Sequence, residues 1–174
     1  MAKKHAVDQL AADLTGYQID VAIITQTHYK PSKHPNSIMN IDGYNLYRRD
    51  RCQRRGGGVA IYVRNTADAC GIRMPGDDPL YELLWLRVHF ANRNIISWRP
   101  LQPTSTPRYQ THEFLKFIEI SVDHINNTND NCIIIAGDFN AVPEQQIVLR
   151  TGFIPGSKLT FSTNLFHHGL LVDP

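Results

Sequence analysis

The sequence contains little that would support a fold held together by covalent or metal cross-links. Its 174 residues include only three cysteines, an odd number, and no two of them form a Cys-x-x-Cys pair. This spacing argues against a disulfide scaffold and against a zinc finger, and it favours a reducing compartment. A chain of this length buries enough apolar surface to fold without such cross-links. We therefore expect a single globular domain over residues 1–174.

Long apolar segments are also absent from the sequence. The longest apolar runs, residues 83–86 and 132–136, are far too short to span a bilayer. Residues 1–4 lead into a mixed segment that lacks the apolar core of a signal peptide. These features predict an intracellular protein, nuclear or cytoplasmic, that is neither secreted nor bound to a membrane.

Net charge is small, but it is unevenly distributed. The chain carries a formal charge of +2, and residues 48–55 contain five arginines and one aspartate, a local charge of +4. The arginines are Arg48, Arg49, Arg51, Arg54 and Arg55. A basic segment on a near-neutral chain favours contact with a polyanion such as DNA. A solvated loop is the alternative interpretation of the same residues.

Hydrophobic patterning predicts an α+β fold. Apolar residues spaced at i, i+3, i+4 and i+7 predict a helix over residues 5–14, a second stripe predicts a helix that begins near Thr111, and a weaker pattern covers residues 147–149. Strands are predicted at residues 21–25, 44–48, 59–63, 81–90, 94–98 and 132–136. The strands at 44–48 and 59–63 are spaced as a hairpin whose connection carries the arginines. Consecutive strands outnumber helices, which favours α+β, or a layered αββα sandwich, over a Rossmann fold.

Chemically versatile side chains follow the apolar strand at residues 132–136. In an extended chain residues i and i+2 share a face, so Asp138 and Asn140 are expected to project together. A carboxylate can hold or deprotonate a water molecule, and an amide can donate to a phosphate oxygen, which suits hydrolysis of a phosphodiester. A simple turn at the end of a strand is the alternative interpretation.

A second apolar strand, residues 21–25, also ends in polar residues, of which Gln26 is the first. Two such strands can lie side by side, with both polar ends at one edge, where open α/β sheets bind ligands. We therefore predict that Gln26, Asp138 and Asn140 cluster at one rim of the fold.

Five segments, taken in order, resemble the endonuclease/exonuclease/phosphatase superfamily. More narrowly, they resemble the endonuclease domain of non-LTR retrotransposons, which precedes a reverse transcriptase. The segments are residues 20–28, 42–51, 56–64, 81–86 and 136–140. The resemblance covers residues 5–152 and implies a four-layer αββα sandwich, a truncated copy that is incomplete at both ends.

The same resemblance implies a Mg2+-dependent endonuclease that hydrolyses DNA phosphodiester bonds. Asp138 would position the attacking water and Asn140 would stabilise the transition state. Gln26 stands where the family has a metal-binding glutamate, and its neutral amide implies a weak metal ligand. Trp98 stands where the family has a tyrosine that contacts phosphate, and an indole N–H can only donate a hydrogen bond.

These departures predict that this copy is impaired as an enzyme. The family's first strand, with its metal-binding asparagine, and its terminal Asp-His pair find no match in the sequence. Two other functions stay open. One is a catalytically inactive remnant that binds nucleic acid weakly through the arginine-rich segment. The other is an active enzyme for phosphoinositides or small phosphodiesters.

Overall fold

The computed structural model describes residues 5–50, 57–76, 83–90, 93–98, 111–126, 131–137, 144–151, 154–155 and 169–172. The helices described there are α1 (Ala6–Gly16), α2 (Thr111–Asn126) and α3 (Glu144–Thr151), with a 3₁₀ turn at Asn36–Ile38. The strands are β1 (Val21–Thr25), β2 (Tyr44–Arg49), β3 (Val59–Arg64), β4 (Asp68–Ile72), β5 (Trp85–Phe90), β6 (Arg93–Trp98), β7 (Asn131–Gly137), β8 (Ile154–Pro155) and β9 (Gly169–Val172). Within these residues, no helix combines the length and the apolar character needed to cross a membrane.

The strands form two sheets. The first sheet has the order β1-β3-β2 and is antiparallel throughout. The second has the order β4-β5-β6-β7-β9-β8, and its pairs are antiparallel except for β6 and β7. Parallel neighbours need a long crossover, and α2 lies between β6 and β7 in the chain. The pairing of β2 with β3 confirms the predicted hairpin.

The central strand β3 is buried on both faces because its side chains alternate between two apolar clusters. Ala60 and Tyr62 pack with Leu14 of α1 on one face of the first sheet. Ile61 and Val63 pack on the other face, in a cluster that includes Leu86 and Val88 of β5. This alternation with a period of two is the geometry of an extended chain. It places α1 on the face of the first sheet that lies away from the second sheet.

The second sheet carries its own apolar cluster with the remaining helices. Phe114, Ile118 and Val122 of α2 are buried, as the predicted apolar stripe requires. They pack in one cluster with Trp85 of β5 and Ile147 of α3. Mixed helices and antiparallel sheets therefore confirm the predicted α+β class.

Three features of the strands differ from the sequence-based expectation. Strand β5 begins at Trp85, later than the predicted residue 81. Strands β4, β8 and β9 have no counterpart among the predicted strands; β4 contains Asp68 and Gly71, which are poor strand formers, and lies at the edge of its sheet. The two apolar strands that precede Gln26 and Asp138 are not neighbours in one sheet. Strand β1 pairs with β3, whereas β7 lies between β6 and β9.

The last difference has a physical cause. An apolar run shows that a strand is buried, but it does not identify the strand that completes its hydrogen bonds. The two strands nevertheless approach each other, because β1 contacts β7 from the other sheet.

Candidate active site

The chain leaves β1 in an unusual backbone conformation. Gln26 and His28 both have positive φ values, 50° and 56°. A non-glycine residue in the left-handed region costs roughly 1–2 kcal/mol. The conformation is held by two backbone hydrogen bonds, from Thr27 N–H to Gly58 O (3.3 Å) and from His28 N–H to Gly57 O (2.9 Å). Strain of this kind concentrates at functional sites, which makes this segment a candidate.

The Gln26 side chain joins the same segment from the other direction. The backbone N–H of Gly57 donates to Gln26 Oε1 over 2.9 Å. Gly57 and Gly58 have φ values of 79° and 82°, a conformation that glycine adopts without a Cβ penalty. Gln26 is therefore anchored through its backbone neighbours and through its side-chain oxygen.

Two hydroxyl groups flank Gln26 in the chain. Thr25 and Thr27 are both buried, and neither Oγ1 has a hydrogen-bond partner within the described part of the structure. A buried hydroxyl without a partner carries a desolvation cost. The segment at the end of β1 thus has a strained backbone, and two of its buried hydroxyl groups make no hydrogen bond within the described residues.

Arg48 faces the α1 side of the first sheet and makes several contacts there. Its Nη1 donates to His34 O over 2.7 Å and lies 3.3 Å from Met39 Sδ. Its Nη2 pairs with the Asp50 carboxylate, and the side chains of Arg48 and Asp50 are only 14% and 4% exposed. The guanidinium also lies 5.8 Å from the centroid of the Tyr29 ring. Arg48 therefore ties the connection between β1 and β2 to the sheet.

Arg49 faces the second sheet. Its Nη1 donates to Leu83 O over 2.8 Å, just before β5. Tyr47 lies on the same face, and its hydroxyl donates to Ala69 O of β4 over 2.7 Å. Burial, followed by the nearby charge of Asp68, raises the pKa of Tyr47. These two side chains connect the first sheet to the second.

The predicted DNA contacts of the arginine-rich segment stay a prediction. The structure describes two arginines of this segment, Arg48 and Arg49, and both already have hydrogen-bond partners within the protein. Arg51, Arg54 and Arg55 lie outside the described residues. A phosphate contact by Arg48 or Arg49 would have to compete with those internal hydrogen bonds.

The predicted catalytic pair, Asp138 and Asn140, also lies outside the described residues, so its clustering with Gln26 stays a prediction. Strand β7 ends at Gly137, directly before Asp138. Trp98 is the last residue of β6 and pairs with Ile135 of the parallel strand β7. Parallel strands end at the same edge, so Trp98 lies at the edge of the sheet where β7 ends.

Within the described residues the structure does not fit a dedicated divalent-metal centre. No group of three or more histidine, cysteine, aspartate or glutamate side chains is close enough there to hold a metal ion. The side-chain oxygen of Gln26 is neutral and already accepts a hydrogen bond from Gly57. Magnesium prefers anionic oxygen ligands, so this oxygen is a poor substitute for a carboxylate.

Comparison with known proteins identifies the family. The sequence profile of the Endonuclease/Exonuclease/phosphatase family matches residues 1–169. The chain belongs to the Endonuclease/Exonuclease/phosphatase family. The superfamily predicted from the five sequence segments is thereby confirmed. Members of the Endonuclease/Exonuclease/phosphatase family generally use divalent metal ions. Among curated protein sequences, none matches this chain.

Solved structures share the fold of this family member at low sequence identity. The endonuclease domain of TRAS1, a telomere-specific non-LTR retrotransposon, has a TM-score of 0.61 and 13% identity, over 98% of this chain and 80% of that chain. The AP endonuclease LMAP from Leishmania major has a TM-score of 0.69 and 14% identity, over 97% and 74% of the two chains. D. rerio TDP2, complexed with a single-strand DNA product, has a TM-score of 0.60 and 14% identity, over 96% and 76%. Such identities establish the fold alone.

Proposed function

We propose that the chain is an endonuclease-type phosphodiesterase domain, derived from a non-LTR retrotransposon, that acts on DNA inside the cell and is impaired in hydrolysis. Family membership and the shared fold with the TRAS1 endonuclease domain support the reaction class. The three apolar clusters support a four-layer αββα arrangement as its scaffold. One lies beneath α1, one lies between the sheets, and one lies beneath α2 and α3.

The proposed chemistry rests on two residues that follow β7. Asp138 holds a water molecule and accepts its proton, and Asn140 donates a hydrogen bond to the charge that develops on the phosphate. Mg2+ is the cofactor that the resemblance to the family implies, and it would supply positive charge against the phosphate. In this chain its binding is weakened, because Gln26 provides a neutral oxygen in place of a carboxylate.

The observation that carries the proposed impairment is the hydrogen bond between Gly57 N–H and Gln26 Oε1. This hydrogen bond fixes the carboxamide so that Gln26 offers a ligand only a neutral oxygen and an N–H donor, where a glutamate would offer a metal an anionic oxygen. Trp98, at the end of β6, offers no phenolic oxygen. Loss of one transition-state donor typically lowers kcat by a factor of about 10²–10³. Such losses act together and do not simply add.

A plasmid-relaxation assay with Mg2+ tests this proposal. We expect the purified chain to bind DNA in a binding assay and to relax plasmid at a barely detectable rate. Asp138→Ala is the control for contaminating nuclease. If the wild-type chain relaxes plasmid efficiently and Asp138→Ala abolishes this activity, the chain is a working nuclease and the proposed impairment is contradicted. If the chain neither binds nor relaxes DNA, DNA is contradicted as the substrate. A panel of phosphoinositides and small phosphodiesters would then be tested.

The second candidate is a catalytically inactive domain that binds nucleic acid weakly. The neutral carboxamide of Gln26 favours it, because this position of the described site offers a metal no anionic oxygen. DNA binding together with equal, background relaxation by the wild type and Asp138→Ala would support this candidate.

A further inference from the structure

We infer that Gln26 binds a phosphate oxygen directly through its side-chain Nε2–H, without a bridging divalent cation. The inference rests on the proposed function, because it assigns one contact within a phosphodiester-binding site. It concerns the ligand that this position takes, a phosphate anion, rather than the rate of hydrolysis.

The orientation of the Gln26 carboxamide follows from its partner. A backbone N–H can only donate, so the side-chain atom that faces Gly57 N at 2.9 Å must be the oxygen. A flipped amide would place two donors against each other. The NH₂ group therefore occupies the other branch of the carboxamide, and it has no hydrogen-bond partner among the residues that the structure describes.

Glutamine and glutamate at this position differ in one non-hydrogen atom and in the hydrogens that it carries. Either residue can accept the Gly57 N–H with its first oxygen. The remaining atom is an anionic oxygen in glutamate, which attracts a cation and repels a phosphate. In Gln26 it is an N–H donor, which attracts a phosphate oxygen. The substitution therefore reverses the sign of the ligand that this position prefers.

The donor is held in place before any ligand arrives. The Gln26 oxygen is bound by Gly57, and the backbone on its C-terminal side is bound at Thr27 and His28. Gln26 is only partly buried, whereas Thr25 and Thr27 on either side of it are buried. A group already fixed in its binding conformation loses little entropy on binding, which favours even a single hydrogen bond.

Nuclear magnetic resonance on the full chain tests the contact directly. The ¹⁵N-labelled protein is titrated with inorganic phosphate in the presence of EDTA. The Gln26 side-chain NH₂ signals are identified by their proximity to the Gly57 amide proton and by their loss in Gln26→Ala. We expect these signals to shift saturably, while the NH₂ signals of exposed Gln18 stay in place.

A second measurement asks whether the phosphate can belong to DNA. Fluorescence anisotropy follows binding of a labelled single-stranded oligodeoxynucleotide in EDTA and in Mg2+. We expect wild-type binding in EDTA, with no gain in affinity when Mg2+ is added. Gln26→Glu should bind about tenfold more weakly in EDTA, since a charge-assisted hydrogen bond is lost and a negative charge is added. Mg2+ should restore part of that loss.

Gln18→Glu is the matched control, because it makes the same change of charge at an exposed residue before β1. The five residues of β1, about 17 Å of extended chain, lie between Gln18 and Gln26. We expect Gln18→Glu to bind as the wild type does. Thermal unfolding of each variant checks that it is folded, and the wild-type titration decides the question even if Gln26→Glu fails to fold.

The outcomes separate this inference from the proposed function. Phosphate shifts at Gln26 without oligonucleotide binding would keep the contact and overturn DNA as the ligand. Two results would overturn the inference. One is oligonucleotide binding that requires Mg2+. The other is equal binding in EDTA by the wild type and Gln26→Glu, together with no phosphate-induced shift of the Gln26 NH₂ signals. The proposed function would then still stand.

Discussion

Arg48 and Arg49 are adjacent in β2, and their guanidinium groups stabilise opposite faces of the first sheet. Arg48 donates to His34 O in the connection between β1 and β2, and Arg49 donates to Leu83 O before β5. The alternation of side chains along a strand separates them. The sequence places these two arginines in a basic segment. In the structure they instead join β2 to the connection between β1 and β2 and to the residues before β5.

Arg48→Ala should destabilise the fold, because it leaves the nearly buried Asp50 carboxylate without its arginine. Removing one partner of a buried ion pair typically costs about 3–5 kcal/mol. We expect a loss near the lower end, about 3 kcal/mol, in the free energy of unfolding measured by urea denaturation.

Arg64→Ala is the matched control for this measurement. Arg64 pairs with Asp20 at 3.2 Å, and the two side chains are 30% and 55% exposed. An exposed pair of this kind contributes at most about 1 kcal/mol. Equal losses in the two variants would contradict the structural role of Arg48.

Replacement of Arg51, Arg54 and Arg55 together by alanine should weaken DNA binding without destabilising the described core. Each phosphate contact releases counterions, with a slope in log K against log salt of about −0.7 per contact on single strands. We expect the triple variant to bind more weakly and with a shallower slope, measured by anisotropy over a range of salt concentrations. Arg73→Ala, at an exposed arginine after β4, should leave the slope unchanged. Wild-type affinity that does not depend on salt would rule out this basic contact.

Gly57→Ala should affect both stability and phosphate binding, because Gly57 anchors Gln26 and has a φ of 79°. The left-handed backbone costs an alanine roughly 1–2 kcal/mol. Gly43→Ala is the control, since Gly43 has a φ of 83° and open space around an added Cβ. We expect Gly57→Ala to lose at least as much unfolding free energy in urea as Gly43→Ala, because Gly57 is buried and Gly43 is exposed. Only Gly57→Ala should reduce the phosphate-induced shift at Gln26, and equal shifts in both variants would show that the anchor is unnecessary.

Stability should fall as the pH rises above about 10, because three tyrosines keep their protons longer in the folded state than in the unfolded state. Burial raises the pKa of Tyr62 and Tyr47, and burial together with neighbouring Tyr62 raises the pKa of Tyr29. When a tyrosine has a higher pKa in the folded state, its contribution to stability is fully present below the pKa of the unfolded state. That contribution is lost as the pH rises above this value towards the folded pKa. Each such group contributes a slope of at most about 1.4 kcal/mol per pH unit.

Urea unfolding between pH 8 and 11 measures this loss, in a range of about three pH units around the ordinary tyrosine value. Tyr62→Phe should flatten the alkaline decline, and at neutral pH it should cost about 1 kcal/mol for the hydrogen bond to Met39 O. Tyr17→Phe, at an exposed tyrosine, should leave the decline unchanged. A decline that Tyr62→Phe does not alter would exclude Tyr62 as a source.

Much of the secondary structure followed from local patterns. Strand β1 was predicted at the residues where it lies, and the buried stripe of α2 was predicted from its spacing. The hairpin of β2 and β3 followed from the spacing of two strand-length segments. The family followed from five short segments in order. Strand β4 escaped prediction because edge pairing, rather than composition, makes it a strand.

The sequence by itself determined which residues alternate, which segments are apolar and which family the chain belongs to, because these properties depend on near neighbours in the chain. Only the tertiary structure decided that β1 and β7 lie in different sheets and that Arg48 and Arg49 face different layers. It also decided the role of the Gln26 oxygen. Gln26 and Gly57 are 31 residues apart, and their hydrogen bond exists only because β1 pairs with β3. A contact over that separation depends on which two strands pair, and an apolar segment by itself does not identify its partner.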